Sequence, residues 1–267
     1  MRQSPAAFVV IATLLILAVP FPAVAQNPAS GGPVDAATIE DLVAANRILA
    51  DQGVLDAFGH ISIRHPANPD RYLMSRNIAP ALVTADDIIE YDLDSNAVNA
   101  AGRPSFLERF IHGEIYKARA DVRAVVHTHS PAVIPFGISG APMRATYHMA
   151  GFLVAGVPVF EIRGAGGMTN MLISNGALGR ALADTLADKP VALMRGHGDV
   201  VVGPSVQIAV FRAVYTEINA RLQATAMSMS PQLNFLEKEE GEKIDQVLQQ
   251  QIVRPWALWK QKAMGGK

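Results

Sequence analysis

The chain has 267 residues, half of them hydrophobic and 18% charged, with a formal net charge of −1. That is room for a large domain with its own core. It is too apolar for disorder over most of its length, and it has no basic field to hold nucleic acid. Cysteine is absent, which excludes disulfides, a thiol nucleophile and thiolate metal ligands. Any metal must be held by the seven histidines and the carboxylates.

The first residues read as an address. Arg2 gives a positive start, Phe8 to Val19 is an unbroken apolar run, and Ala23-Val24-Ala25 is a small-residue cleavage site. This is the pattern of a secretory signal peptide over residues 1–25, with cleavage after Ala25. The alternative is an uncleaved anchor, but the run is shorter than the ~20 residues of a spanning helix. The expected product is exported, most simply to a bacterial periplasm, with no membrane association after cleavage. Residues 26–34 follow as a flexible leader, then a folded domain over 35–230 and a helical tail over 231–267 that ends in an apolar anchor around Trp256 and Trp259.

Within the domain, Asp35–Gln52 carries apolar residues at helical spacing. Phe58–Arg64 alternates as a strand, with Arg71–Ser75 as its hairpin partner, and Ile88–Leu93 is another strand. Phe106–Arg119 reads as a helix, Ala124–His129 as a β-branched strand, and Val157–Glu161 and Val191–Met194 as short strands. Leu178–Leu186 and Ser205–Met229 read as helices. Strands and helices intermix without a strict βαβ beat.

His127 and His129 stand two apart on a predicted strand and so share a face. Two imidazoles side by side suit a metal, although an ordinary hydrogen-bonded pair has the same spacing. His197 follows the strand Val191–Met194 and lies between Gly196 and Gly198, which let the backbone turn sharply. Three neutral imidazoles with an open position make a catalytic metal site. Glu108 opens the helix that leads into the His127 strand; it is either a helix-dipole partner or a general acid/base. His60 and His148 read equally well as buried hydrogen-bonded rings and as proton carriers, and His65 and His112 read as ordinary surface or packing residues.

Together these segments resemble the class II aldolase/adducin family. The resemblance rests on Phe58–Arg64, on Pro104-Ser105 through Glu108 to Tyr116, on Arg119 and Asp121, on Ala124–His129 and on Gly196–Gly198, and it runs from about Ile39 to about Gln223. It implies an α/β fold: a three-layer αβα domain with a largely antiparallel central sheet, commonly assembled as a ring-shaped homotetramer with the site near a subunit boundary. It also implies one divalent ion per subunit, zinc or alternatively manganese or another divalent ion, on His127, His129 and His197, with Glu108 as acid/base. The implied chemistry is carbon–carbon bond cleavage through a metal-stabilised enediolate on a small-molecule substrate. A non-catalytic adducin-like assembly module and an epimerase are the alternatives.

Where sugar-phosphate aldolases of this family carry hydroxyl and amide groups for phosphate, this chain has Phe106-Leu107, His60 and Ser75-Arg76-Asn77. A phosphate there would lack its donors. Arg76 instead suits a carboxylate. The Phe58–Pro66 stretch, the Leu107–Tyr116 helix and Tyr147-His148-Met149 resemble the branch that contains decarboxylases of hydroxylated aromatic acids. The expected substrate is a non-phosphorylated hydroxy acid.

Overall fold

The structure is a computed structural model that describes Met1 and residues 29–265. The expected signal peptide, Met1 apart, and its cleavage site lie outside the described residues. In chain order the elements are α1 (Ala36–Asp51), β1 (His60–Arg64), β2 (Arg71–Ser75), β3 (Ile88–Asp92), α2 (Phe110–Ala118), β4 (Ala124–Thr128) and α3 (Ile134–Ser139). There follow β5 (Val159–Phe160), α4 (Ile162–Gly166), α5 (Gly176–Leu186), β6 (Val191–Met194), β7 (Gly198–Gly203), α6 (Val206–Met229), α7 (Lys238–Gln251) and α8 (Val253–Ala263). Short 3-10 turns link them, among them Leu107–Arg109 before α2 and His148–Ala155 before β5.

One seven-stranded sheet runs in the order β3-β2-β1-β4-β7-β6-β5. Every pairing is antiparallel except β5 with β6. The strands are buried along nearly their whole length, because helices cover both faces of the sheet. On one face Ile61, Ile63, Val126, Leu193 and Val201 pack with Leu42, Ile48, Val210 and Val214 of α1 and α6. On the other, Met74, Tyr91, Val125, Ala192 and Val202 pack with Ile111 and Ile115 of α2 and Leu178 and Leu182 of α5. The pleat sends alternate side chains to opposite layers, and two separate cores result. This is the expected three-layer αβα arrangement.

The helix starts are specified locally. Asp35 accepts a hydrogen bond from the Thr38 N–H at 2.7 Å at the start of α1, and Asn175 and Ser205 do the same for α5 and α6. The predicted helix from Phe106 begins later than its periodicity suggests. Phe106 is extended, Leu107–Arg109 is a 3-10 turn, and regular α2 starts at Phe110. The strand β7 carries too short a β-branched run, Val200–Val202, to stand out in the sequence, yet it is central to the sheet.

The leader is pinned from Ser30 onward rather than loose. The Ser30 hydroxyl and the Gly31 N–H both bond the Glu90 carboxylate, at 2.7 and 2.5 Å, and the His65 ring donates to the Gly32 carbonyl at 3.1 Å. At the other end, α8 lays Trp256 and Trp259 into the α1–α6 core, and the Lys260 ammonium bonds Asp41 at 2.7 Å. Among the described residues no helix is long and apolar enough to cross a membrane.

Candidate metal centre and active site

The site forms at one end of the sheet, on the α2–α5 face. Register brings it together. His60 at the start of β1 is the cross-strand partner of His127 near the end of β4, and Thr128 is paired with Asp199 at the start of β7. His129 lies one residue past β4. His197 sits in the turn between β6 and β7, where Gly196 adopts a left-handed φ of 62°. At Gly198 a Cβ would stand 1.8 Å from the Thr128 carbonyl oxygen, so only glycine lets β7 approach β4 this closely. The 3-10 turn before α2 carries Glu108 into the same space.

Donor atoms of Glu108, His127, His129 and His197 all lie within 4.8 Å of one another. Glu108 Oε2 is 3.4 Å from His127 Nε2 and 3.5 Å from His197 Nε2, and the Nε2 atoms of His129 and His197 are 3.0 Å apart. Ligand atoms about 2.0–2.1 Å from a tetrahedral zinc ion would be separated by about 3.3 Å. The cluster therefore has the size of a divalent-metal site. Its donors are also oriented for one. His127 Nδ1 donates to the Asp199 carbonyl at 3.1 Å, and His197 Nδ1 donates to the Met171 carbonyl at 3.2 Å. These bonds fix the tautomers and leave each Nε2 as a bare lone pair facing inward. His127 Nε2 is buried and has no hydrogen-bond partner among the described residues, an orphan that a cation satisfies. Burial, then the neighbouring His127 and His197, lowers His129 to about 4, so its ring is neutral near pH 7 and free to ligate.

Glu108 is buried, and its Oε1 accepts from the Ile173 N–H at 2.9 Å. Burial pushes its carboxyl up, but the His127 and His197 rings that face it outweigh burial when they are protonated and hold it well below the usual carboxylate range, a role that a cation would take when those rings are neutral ligands. Its place in this cluster, and not only at a helix start, is what the acid/base reading required.

A cavity of about 240 Å³ adjoins the cluster, reaching Glu108 and His129. Phe58, Phe106, Leu107 and Leu172 form its apolar wall, and His60 and Asn77 are its polar points. An apolar cavity of about 150 Å³ already accommodates benzene, so this one has room for a substituted ring.

The remaining sequence candidates divide. His60 is buried, lines the cavity, and lies 5.2 Å from the His127 ring between centroids. His148 is exposed on the surface of the 3-10 segment that packs on α7; it neither lines the cavity nor joins the cluster. Arg76 lies one residue before Asn77, but its Nε bonds Asp87 at 2.6 Å and it does not line the cavity. His112, which read as a surface or packing residue, is fully buried and hydrogen-bonded to His60. No short-range signal marks it, because Glu108, four residues earlier, stands on a 3-10 turn outside α2. The segment Met171–Ile173 supplies backbone partners to both His197 and Glu108 and has no periodicity that singles it out.

Residues 40–224 match the class II aldolase and adducin N-terminal domain, and the chain belongs to that family. Among its relatives is decarboxylase tropJ of Talaromyces stipitatus, 36% identical over 244 residues, covering 83% of this chain and 92% of that one. A 3,4-dihydroxyphthalate decarboxylase of Arthrobacter keyseri is 32% identical, covering 74% of this chain and 82% of the relative. Among solved structures, an L-fuculose 1-phosphate aldolase from Glaciozyma antarctica superposes with a TM-score of 0.71 at 23% identity, over 87% of this chain and 93% of that one. That last likeness concerns the fold.

Proposed function

We propose that the protein is a metal-dependent carbon–carbon lyase that decarboxylates a non-phosphorylated, hydroxylated aromatic acid. The observation that carries this reading is the apolar cavity opening directly onto the Glu108/His127/His129/His197 cluster. The decarboxylase names of two relatives support decarboxylation over aldol cleavage. A divalent ion held by His127, His129 and His197, zinc or alternatively manganese or another divalent ion, would supply Lewis-acid charge for the substrate's adjacent oxygens.

The chain's own residues do the rest. Phe58, Phe106 and Leu107 hold an aromatic ring and exclude water, and they offer no donor to a phosphate. Glu108 is held at Oε1 by the Ile173 N–H, and its Oε2, beside the His127 and His197 Nε2 atoms, is placed to carry a proton between water and the substrate. Because His148 is exposed and remote from the site of its own chain, its proton-carrying role is assigned to the site of a neighbouring copy, which rests on the homotetramer that the family resemblance implies. The protein works after export to the periplasm, once the segment up to Ala25 is removed.

The test is elemental analysis of the purified protein followed by assay of carbon dioxide release from aromatic acids with a hydroxyl next to the carboxylate. One equivalent of metal and chelator-sensitive release are expected; comparable cleavage of a ketose or aldose phosphate overturns the substrate assignment. For His148, mixing His148→Ala with Glu108→Gln subunits is expected to restore part of the activity that each variant lacks alone.

A further inference from the structure

We propose that Tyr116, Ser62 and His112 form a hydrogen-bond chain of fixed direction that holds His60 in its Nε2–H tautomer, so that the cavity presents a donor at this point and selects an anionic oxygen of the substrate. The functional assignment of the site rests on the lyase reading; the chain's direction does not.

The chain is built from two elements. β1 sends His60 and Ser62 to the α2 side of the sheet, and α2 sends back His112 and Tyr116, four residues apart on one helical face. His60 Nδ1 is 2.7 Å from His112 Nε2, His112 Nδ1 is 2.6 Å from the Ser62 hydroxyl, and Ser62 is 2.9 Å from the Tyr116 hydroxyl. The four residues are 3%, 0%, 0% and 2% exposed, so each proton in the chain must find its acceptor within the protein.

A neutral imidazole has one N–H and one bare nitrogen, so the chain has only two consistent directions. Run outward from the cavity, His60 Nδ1 would donate to His112, His112 to Ser62, and Ser62 to the tyrosine oxygen. The Tyr116 proton would then be stranded, because Ser62 is the one acceptor given for it among the described residues and its other partner, the Val125 backbone N–H, is a donor. Run inward, Tyr116 donates to Ser62, Ser62 to His112 Nδ1, and His112 Nε2–H to His60 Nδ1. Every proton inside the chain then has an acceptor, and the last one, on His60 Nε2, faces the cavity, where water or substrate can accept it. One proton on each buried ring is what these contacts need, since His112 meets a neighbour at both nitrogens and His60 meets one at Nδ1. No described residue bonds His60 Nε2, and the ring lines the cavity beside Phe106. The end of the chain is therefore an unused N–H in the place where substrate is proposed to lie. It suits a carboxylate or phenolate oxygen and rejects a group that can only donate.

Tyr116, Ser62 and His112 are positioning residues, and the tautomer is their signature. The test uses the full chain with ¹⁵N-labelled histidine and no substrate, so it succeeds or fails independently of the lyase activity. Long-range ¹H–¹⁵N spectra are expected to show His60, identified by its loss in His60→Asn, with Nε2 as an N–H and Nδ1 as an acceptor. In Tyr116→Phe, which frees Ser62 to point either way, the His60 signals are expected to move toward a mixture of the two tautomers. Protonation of His60 on Nδ1 in the unsubstituted protein overturns the proposal even if Tyr116→Phe fails to fold. So does an unchanged His60 spectrum in a folded Tyr116→Phe protein.

Discussion

On the α1 side of the sheet, β1 and β4 present Ile61, Ile63, Ala124 and Val126 to a layer of aliphatic helices. On the α2 side, the residues between them are His60, Ser62, Val125 and His127, and they meet Glu108, His112 and Tyr116. The same two strands thus build a core with one set of alternate residues and a reaction site with the other. The pleat keeps the two tasks apart, so that polar groups needed for chemistry never interrupt the larger apolar core. A slip of β1 by one residue against β4 would exchange the sets and destroy both.

Substitutions on the two faces should fail in opposite ways. The largest effect belongs to His127→Ala. Removing a ligand is expected to weaken metal binding by more than the roughly 10- to 100-fold that loss of an outer-shell partner costs, while circular dichroism still reports a folded chain. Stoichiometric tight metal in that variant would put the site elsewhere. Next is Glu108→Gln, with turnover down by at least about a hundredfold, as for loss of a proton-transfer group. A simple helix-dipole role would instead cost only about 0.3–1 kcal/mol of stability. Across the sheet, Ile61→Ala is expected to cost about 2–5 kcal/mol in denaturant unfolding, yet each molecule that remains folded should still bind its full complement of metal.

Acid should loosen the α2 face selectively. Burial, and then the nearby His127, lowers His112 from 6.5 to about 3 in the folded protein. Between those values the unfolded chain binds the extra proton and the folded chain does not. This contribution to stability is complete above pH 6.5 and is lost as pH falls toward 3. A pH series of melting temperatures should therefore show a smaller acid-side drop in His112→Gln than in the unsubstituted protein. The smallest effect is expected for Arg76→Gln. Its partly exposed ion pair with Asp87 is worth about 0–1 kcal/mol, and substrate KM should stay within about twofold if Asp87 keeps the guanidinium out of the cavity.

Much of the centre could be read from local pattern. His127 and His129 sit at a strand end and His197 sits between glycines, and each of these is a short-range signal. The direction of Glu108 was less legible, because it depends on a 3-10 turn that delays α2 to Phe110. His112 was illegible as anything but packing, since its role exists only when β1 lies over α2 with His60 and Ser62 facing it. β7 was missed for a related reason. A run of three valines after Gly198-Asp199 is too short to declare a strand, and it becomes one by filling the space between β4 and β6. Arg76 illustrates the reverse case, in which a residue type suited to a carboxylate ligand is engaged by a carboxylate of the protein itself.

Both tryptophans of the chain, Trp256 and Trp259, belong to α8, whose Lys260 is tied to Glu40 and Asp41 on α1. Intrinsic tryptophan emission is therefore an optical report on the docking of the last helix against the first, an event that joins positions more than two hundred residues apart. Closing so long a loop is among the slow steps of folding. In a refolding experiment the emission change should mark the moment the α1–α6 core is sealed, and it should be silent about whether the histidines at the far side of the sheet have yet come together.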